Sequence, residues 1–196
     1  MTLEPEIIAA LITRCIQGDQ AGFAALYDYF APMIYRLCYS LLGNQQDAED
    51  VVQESFVYAF KNISRFDSNR ASFKTWLYTI TLSRCRNMYR RKRFPLVDLG
   101  QLFILNLAAP STETPEAALV EQGLREAVEK AVLSLSPHLR EAVILRYGHG
   151  LTYREIADVM DCPQKTAESR VRLAHERLRG LLQPSVPGLL DEWVGI

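Results

Sequence analysis

Residues 136–179 read SPHLREAVILRYGHGLTYREIADVMDCPQKTAESRVRLAHERLR, a stretch that predicts a helix-turn-helix. Its helices are expected over 138–147, 153–160 and 164–181. Ser136-Pro137 is a typical N-cap followed by proline at the first helical position. Thr152 and Glu155 have the spacing of a capping box, which opens the short middle helix. The turn Asp161-Cys162-Pro163 then leads into the last helix.

The last of these helices is rich in side chains that bind DNA in other proteins. Hydroxyl and guanidinium groups hydrogen-bond both to base edges and to phosphates. They occur here where a recognition helix meets the duplex, at Thr166, Ser169, Arg170, Arg172 and Arg177. An ordinary helical hairpin with a solvated charged face is the alternative interpretation.

Residues 5–93 show helical spacing of apolar residues throughout. One helix is expected to end at Gly43-Asn44 and the next to start near Asp47. Asp67-Ser68-Asn69 marks a loop, and Ser72 is the expected N-cap of the helix that follows. The fold class is therefore predicted to be all-α, with two small helical domains.

The predicted domains are residues 5–93 and residues 120–182. Between them, residues 94–119 are rich in proline, serine and threonine, which is typical of a flexible linker. The apolar run LFILNL (102–107) is unusual for a free linker and is expected to dock on another surface. Residues 183–196 form a C-terminal tail.

Charge is distributed very unevenly along the chain. The formal net charge is only −1, but residues 1–60 contain eight acids and two bases, whereas residues 61–93 contain ten bases and one acid. Such asymmetry predicts one surface for a polyanion and another for a basic or polar protein.

The basic segment ends in RCRNMYRRKR (84–93), which contains six bases and no acid. Melted nucleic acid pairs its phosphates with cations and stacks its unpaired bases on aromatic rings. Tyr89, Phe73, Trp76 and Tyr78 supply rings nearby. Core packing is the alternative for Trp76 and the favoured interpretation for Phe73, and a solvated face is the alternative for the basic run.

The acidic segment contains the helix around DAEDVVQESF (47–56), in which Asp50, Gln53 and Glu54 are expected to share one exposed face opposite Val52, Phe56 and Phe60. No histidine, metal ligand or glycine loop accompanies these carboxylates, so acid–base catalysis is not indicated and the chain is not expected to be an enzyme. A surface that docks another protein is the functional interpretation. Favourable placement of acids at a helix N-terminus is the alternative.

Other site classes have no support in the sequence. The four cysteines are far apart without a C-x-x-C pair, and the three histidines do not cluster with them, so neither a zinc site nor a disulfide framework is predicted. No cofactor is expected. No signal segment and no apolar run of about 18 residues occurs, so neither export nor membrane insertion is indicated.

Two strings in these segments resemble a known family. DAEDVVQESFVYAF (47–60) and RFDSNRASFKTWLYTI (65–80), followed by the basic helix end, resemble region 2 of bacterial extracytoplasmic-function (ECF) sigma factors. LSLSPHLREAVILRYGHGLTYREIADVMDCPQKTAESRVRLAHERLR (133–179) is similar to their region 4. The resemblance implies binding to core RNA polymerase, recognition of two promoter elements and melting of promoter DNA.

The resemblance also implies roles for individual residues. Those matching the docking motif for the clamp helices of the polymerase's largest subunit are Asp47, Asp50, Gln53 and Glu54. Those matching the surface that binds the minus-10 element are Phe66, Ser68, Asn69, Trp76, Ser83, Arg84, Asn87, Arg90 and Arg91. Those matching the minus-35 recognition helix are Lys165, Thr166, Glu168, Ser169, Arg170, Arg172 and Arg177.

The start of the last helix departs from the family pattern. Lys165, Ala167 and Glu168 stand where the family often has glycine, valine and lysine. A carboxylate at Glu168 would repel a phosphate, but it is able to accept a hydrogen bond from a cytosine amino group.

We therefore expect a sigma factor of the bacterial cytoplasm. Its expected partners are core RNA polymerase (clamp helices and flap), promoter DNA, and an anti-sigma factor that is able to hold it at the membrane. The alternatives are a helix-turn-helix regulator that is not a polymerase subunit, and a helical interaction module such as a decoy for an anti-sigma protein.

Overall fold

The structure is a computed structural model that describes residues 4–91, 123, 127–128 and 130–182. In this part of the chain every regular element is helical, and the helices form two compact units. The predicted all-α class and its two helical regions are confirmed. The predicted linker with its apolar run, the end of the basic segment at Lys92 and Arg93, and the C-terminal tail lie outside the described residues.

The first unit contains four helices: α1 (Pro5–Ile16), α2 (Gln20–Leu42), α3 (Gln45–Lys61) and α4 (Phe73–Arg91). A short 3₁₀ turn at Ile63–Arg65 follows α3. Helix α2 packs against each of the other three, and α3 also packs against α4. The apolar periodicity of the sequence supplies the shared core, which includes Leu26, Phe30, Ile34, Leu37 and Leu77.

Helix boundaries in this unit follow from capping residues. The side chain of Asp19 caps α2 by accepting a hydrogen bond from the N–H of Ala21 at 2.9 Å. Gly43, with φ of +68°, ends α2 in the left-handed conformation that glycine adopts without strain. Ser72 caps α4, as predicted, because its Oγ accepts from the N–H of Thr75 at 3.1 Å.

The start of α3 differs from the prediction. Asn44 does not belong to the end of α2, since its Oδ1 accepts from the N–H of Asp47 at 3.0 Å and so caps the following helix. Helix α3 consequently begins at Gln45 and not near Asp47.

Farther along the chain lie α5 (Pro137–Val143), α6 (Tyr153–Met160) and α7 (Gln164–Leu182), preceded by a helical stretch over residues 130–134. Helices α5 and α7 pack against each other. The predicted capping box is confirmed: Thr152 N–H donates to Glu155 Oε2 at 2.8 Å, and Glu155 N–H donates to Thr152 Oγ1 at 3.3 Å. Ser136 occupies the N-cap of α5, but its hydroxyl makes no capping bond.

The predicted helix over 138–147 is only partly α-helical. It changes at Ile144 into one π-helical turn that ends at Gly148. Arg146 stabilises the chain reversal that follows, because its Nη1 donates to the carbonyl of Leu151 at 3.0 Å and its guanidinium lies 4.8 Å above the ring of Tyr153. These contacts set the path of the chain into α6.

Candidate protein and nucleic-acid interfaces

Helix α3 presents an acidic face, defined here as Asp50, Gln53 and Glu54. All three side chains are exposed, whereas Val51, Ser55 and the other residues on the opposite side are buried. The predicted exposure of the acidic face is therefore confirmed. Asp47, in the first turn of α3, is half-buried.

Beside the acidic face lies a groove of about 490 Å³ between α2 and α3. It is lined from α2 by Tyr27, Asp28, Ala31, Pro32 and Tyr35, and from α3 by Glu49, Val52 and Gln53. Proline has no N–H, so Pro32 leaves the backbone carbonyl of Asp28 without its helical donor. The groove thus combines hydrogen-bond acceptors with aromatic rings.

Tyr35 supplies a donor to this groove. Partial burial, and secondly the nearby Glu49 carboxylate, raise the pKa of the Tyr35 hydroxyl. A tyrosine hydroxyl is protonated near neutral pH even without this shift, so Tyr35 is able to donate a hydrogen bond. No pattern in the sequence singles out Asp28, Tyr35 and Glu49, because the groove forms between two helices and neither helix alone indicates it.

The loop that follows the 3₁₀ turn begins in an aromatic cluster. The ring of Phe66 lies 5.5 Å from that of Phe73 and 5.4 Å from that of Trp76, and Phe30 adds a further contact to Phe73 at 5.2 Å. These edge and tilted contacts hold Phe66 against the start of α4. The residues after it, Ser68 and Asn69, are exposed.

Asp67 orders the exposed part of this loop. Its Oδ1 accepts from the backbone N–H of Asn69 at 2.9 Å and from the Asn69 side-chain amide at 3.1 Å. Such an Asx turn fixes the loop by local hydrogen bonds. The side-chain carbonyl of Asn69 is consequently directed away from Asp67.

Helix α4 presents a basic face, defined here as Ser83, Arg84, Asn87, Arg90 and Arg91. The guanidinium of Arg84 lies 4.7 Å from the ring centroid of Tyr58 on α3. Arg90 donates to the side-chain carbonyl of Asn87, one turn away. No pattern in the sequence indicates the role of Tyr58, because Tyr58 lies on α3 and Arg84 lies on α4.

An ion pair connects the basic face with the acidic face. Arg91 Nη1 lies 3.9 Å from Glu54 Oε1, and the two side chains are 70% and 45% exposed. A pair this open to solvent contributes only about 0–1 kcal/mol. It restrains neither Arg91 nor Glu54.

Two of the four rings near the basic segment are not available for stacking on bases. Phe73 is 3% exposed and Tyr78 is 1% exposed, so both belong to the core. Burial raises the pKa of Tyr78 well above its ordinary value. The reason is that α4 packs against both α2 and α3, which buries a wide arc of the helix. The core interpretation of Phe73 is confirmed, and Trp76 packs in the aromatic cluster while remaining half-exposed.

In α7 the residues Ala167, Val171, Ala174, Leu178 and Leu182 are buried. The candidate DNA-binding residues lie outside this buried stripe. Lys165, Arg172 and Arg177 are exposed, and Thr166, Glu168, Ser169 and Arg170 are half-exposed. Two contacts run along the helix: Gln164 Nε2 donates to Glu168 Oε1 at 2.9 Å, and Arg172 Nη1 donates to Glu176 Oε1 at 2.6 Å.

The described residues contain no group of histidines, cysteines and carboxylates that would hold a metal ion. All four cysteines are free thiols. Within the same ranges no helix is both long enough and apolar enough to cross a membrane.

Comparison with known families accounts for both units. The family described as Sigma-70 region 2 matches residues 26–94, and the family described as Sigma-70, region 4 matches residues 125–178. The chain is 32% identical over 183 residues to the ECF RNA polymerase sigma factor SigW of Bacillus subtilis. The aligned region covers 90% of this chain and 97% of that protein. This chain belongs to the ECF subfamily of sigma-70-type RNA polymerase sigma factors.

Other relatives of this sigma factor agree. It is 33% identical over 182 residues to the ECF RNA polymerase sigma-E factor of Escherichia coli K12, covering 90% of this chain and 94% of that one. Among solved structures, CnrH in complex with the cytosolic domain of CnrY has a TM-score of 0.66 at 25% identity, over 90% of this chain and 97% of that chain. The sigma factor RpoE bound to the anti-sigma factor NepR, from Bartonella quintana, shares the fold with a TM-score of 0.63 at 24% identity, over 84% and 98% of the two chains.

The surfaces described above divide between the two regions of the sigma factor. The acidic face, the groove, the ordered loop and the basic face all belong to region 2. Helices α5 and α6 and most of α7 belong to region 4. The protein is thus an initiation factor that binds core RNA polymerase and promoter DNA.

Proposed function

We propose that this sigma factor docks on core RNA polymerase through region 2 and reads a promoter with two separate surfaces. The acidic face, together with Asp47, binds the clamp helices of the largest subunit. The groove between α2 and α3 extends the same surface, since its carboxylates and aromatic rings suit basic and apolar side chains. Region 4 approaches the flap of the polymerase.

One observation carries this proposal more than any other. Helices α3 and α4 pack together in a single unit, yet one exposes Asp50 and Glu54 while the other exposes Arg90 and Arg91. A regulator that only binds duplex DNA needs no acidic docking helix beside a basic one. A subunit that joins DNA to an enzyme needs both.

The minus-10 surface consists of the ordered loop and the basic face of α4. Phe66 fixes the start of the loop, so that Ser68 and Asn69 meet a flipped base. Trp76 supports the loop through its ring contact with Phe66. Ser83, Arg84, Asn87, Arg90 and Arg91 bind the non-template strand. Holding unpaired bases offsets the few kcal/mol that unpairing costs.

The minus-35 surface consists of the first turns of α7, as in other helix-turn-helix proteins. Lys165, Thr166, Ser169 and Arg170 lie on the turns nearest to the base edges. Arg172 and Arg177, farther along the helix, suit contacts to phosphates. Glu168 is the only acid among the seven proposed residues.

The remaining elements of the proposal concern the cell. The sigma factor supplies specificity and has no catalytic centre of its own, so nucleotide addition belongs to the polymerase. It acts in the bacterial cytoplasm, where its target enzyme works. An anti-sigma factor that covers region 2 would keep it from the polymerase, and a membrane-bound inhibitor would hold it at the membrane.

Run-off transcription tests the proposed function. Purified core polymerase is incubated with a genomic fragment library, with or without this protein, and the 5′ ends of the transcripts are sequenced. We expect starts that depend on the protein and share two upstream sequence elements. Core polymerase that gains no new start sites, although the protein binds duplex DNA, would support a plain regulator instead.

A further inference from the structure

The first turns of α7 contain a side-chain pair that no arginine or lysine neutralises within the described residues. Gln164 Nε2 donates to Glu168 Oε1 at 2.9 Å, one helical turn apart. The basic residue on the following turn, Arg172, is already paired with Glu176 at 2.6 Å. The Glu168 carboxylate is therefore oriented by an amide and not by a cation.

This pair presents mainly acceptors to an approaching duplex. An ionised carboxylate has no donor, and the Gln164 amide directs one of its two N–H groups to Glu168. Three groups of the pair remain for a ligand: Glu168 Oε2, the side-chain carbonyl of Gln164 and the second amide N–H of Gln164. A phosphate is repelled by this arrangement, so a base edge with an amino group is the partner that it fits.

Only two bases offer an amino group in the major groove, namely cytosine at N4 and adenine at N6. Adenine carries the acceptor N7 beside its amino group, and a carboxylate cannot donate to it. Gln164 keeps one amide hydrogen and its carbonyl, so the discrimination against adenine comes from Glu168: a carboxylate that accepts from adenine N6 lies beside the acceptor N7, which repels it. Cytosine has no acceptor next to its amino group on this edge, so it suits an acceptor pair.

We propose that Gln164 and Glu168 select a cytosine at one position of the minus-35 element. Glu168 accepts from the cytosine amino group, and Gln164 is a positioning residue that holds the carboxylate. The inference rests on the proposed role of α7 as the minus-35 recognition helix. It gives this sigma factor a base preference that a lysine at position 168 would not produce.

The test is a selection of DNA from a library randomised through the minus-35 element. Holoenzyme is assembled from core polymerase and the full chain, as wild type, Glu168→Gln or Gln164→Ala. Glu168→Gln keeps the shape and adds a donor, so cytosine preference at one position should fall by about 5- to 150-fold while adenine gains. Gln164→Ala should weaken the same preference only about twofold.

Asp158→Asn is the matched control, since it removes one negative charge from the exposed side of α6. It should change binding by a similar factor for every sequence and leave each base preference intact. A Glu168→Gln variant that behaves like this control would overturn the inference, because Glu168 would then act through charge alone. A wild-type preference for adenine at the sensitive position would overturn it as well.

Arg170→Ala separates this inference from the proposed function. If base preferences in the element depend on Arg170 but not on Glu168, α7 reads the minus-35 element and only the cytosine assignment is wrong. If the wild-type holoenzyme shows no base preference there and Arg170→Ala changes nothing, the minus-35 role of α7 is itself wrong.

Discussion

Arg84 and Tyr58 come from different helices, and their contact explains how a basic residue is held ready for DNA. The guanidinium lies over the Tyr58 ring at 4.7 Å, which restricts the side chain without neutralising its charge. On the same helix, Arg90 is restricted in a second way, by the hydrogen bond that it donates to the side-chain carbonyl of Asn87. The basic face is therefore partly ordered before DNA binds, which lowers the entropic cost of binding.

Replacing Tyr58 tests this ordering. We expect Tyr58→Ala to weaken binding of the holoenzyme to a fork junction with a single-stranded minus-10 element by about two- to fivefold, since an exposed cation–π contact contributes about 0.5–1 kcal/mol. Tyr58→Phe keeps the ring and should bind like the wild type. Val57→Ala, at an exposed neighbouring position, is the control. Equal affinities for all four proteins would show that Tyr58 does not support Arg84.

At the level of elements, capping residues set several helix boundaries. Ser72 and the Thr152–Glu155 box were predictable from the sequence because they act within a few residues. Asn44 was misassigned, since a residue between two helices is able to end one or cap the next. The π turn at Ile144–Gly148 was not predictable, because it depends on hydrogen bonds that Leu151 and Gly150 make back to Leu145 and Arg146.

For the candidate surfaces too, features within one helix were predictable from the sequence, and features between helices were not. Helical phase predicted the exposure of Asp50, Gln53 and Glu54 correctly. Helical phase also favoured core packing for Phe73 correctly, but it did not predict the burial of Tyr78, because the width of the buried arc depends on how many helices pack against α4. The groove and the Tyr58–Arg84 contact arise between helices, so no single segment of sequence indicates them.

Charge reversal on α3 tests the docking element. We expect Asp50→Lys with Glu54→Lys to weaken binding to core polymerase at least roughly 100-fold, since losing one partner of an interfacial charge pair costs about 2–5 kcal/mol. Both side chains are exposed, so the fold should survive. Fluorescence anisotropy of the labelled sigma factor measures the affinity.

The matched control is Glu4→Lys with Glu6→Lys, which makes the same change in net charge on exposed residues at the start of α1. It should bind core polymerase nearly as well as the wild type. Equal loss in both double variants would mean that general charge, and not the acidic face, governs docking.

The capping box tests how the helix-turn-helix is held. Thr152→Ala removes the side-chain oxygen that accepts from Glu155 N–H, so we expect α6 to lose about 1 kcal/mol of stability. Hydrogen exchange of the amides in residues 153–160 should quicken accordingly, while Thr152→Ser, which preserves the box, should leave it unchanged. Unaltered exchange in Thr152→Ala would show that tertiary packing alone fixes the start of α6.

On the scale of the whole molecule, acidic and basic residues are concentrated on different surfaces, and each surface has its own proposed partner. The acids proposed to dock on the polymerase and the bases proposed to bind a melted strand occupy neighbouring helices of region 2. Region 4 holds a separate set of polar and basic residues on α7. The account therefore requires that the two regions differ in the state of the DNA they bind, a single strand for region 2 and a duplex for region 4.

Promoter opening measures this difference most directly. The readout is the permanganate reactivity of thymines in the minus-10 element. It is followed for holoenzymes that contain the wild-type protein, the double variant Arg84→Ala with Asn87→Ala, or Arg170→Ala. Each holoenzyme is tested on a duplex promoter and on a promoter with a pre-opened bubble. We predict that the region 2 variant binds the duplex promoter but leaves its thymines unreactive, whereas Arg170→Ala weakens duplex binding and gives normal reactivity once bound. Full opening by the region 2 variant would contradict the account, because Arg84 and Asn87 would then not be needed to capture the melted strand.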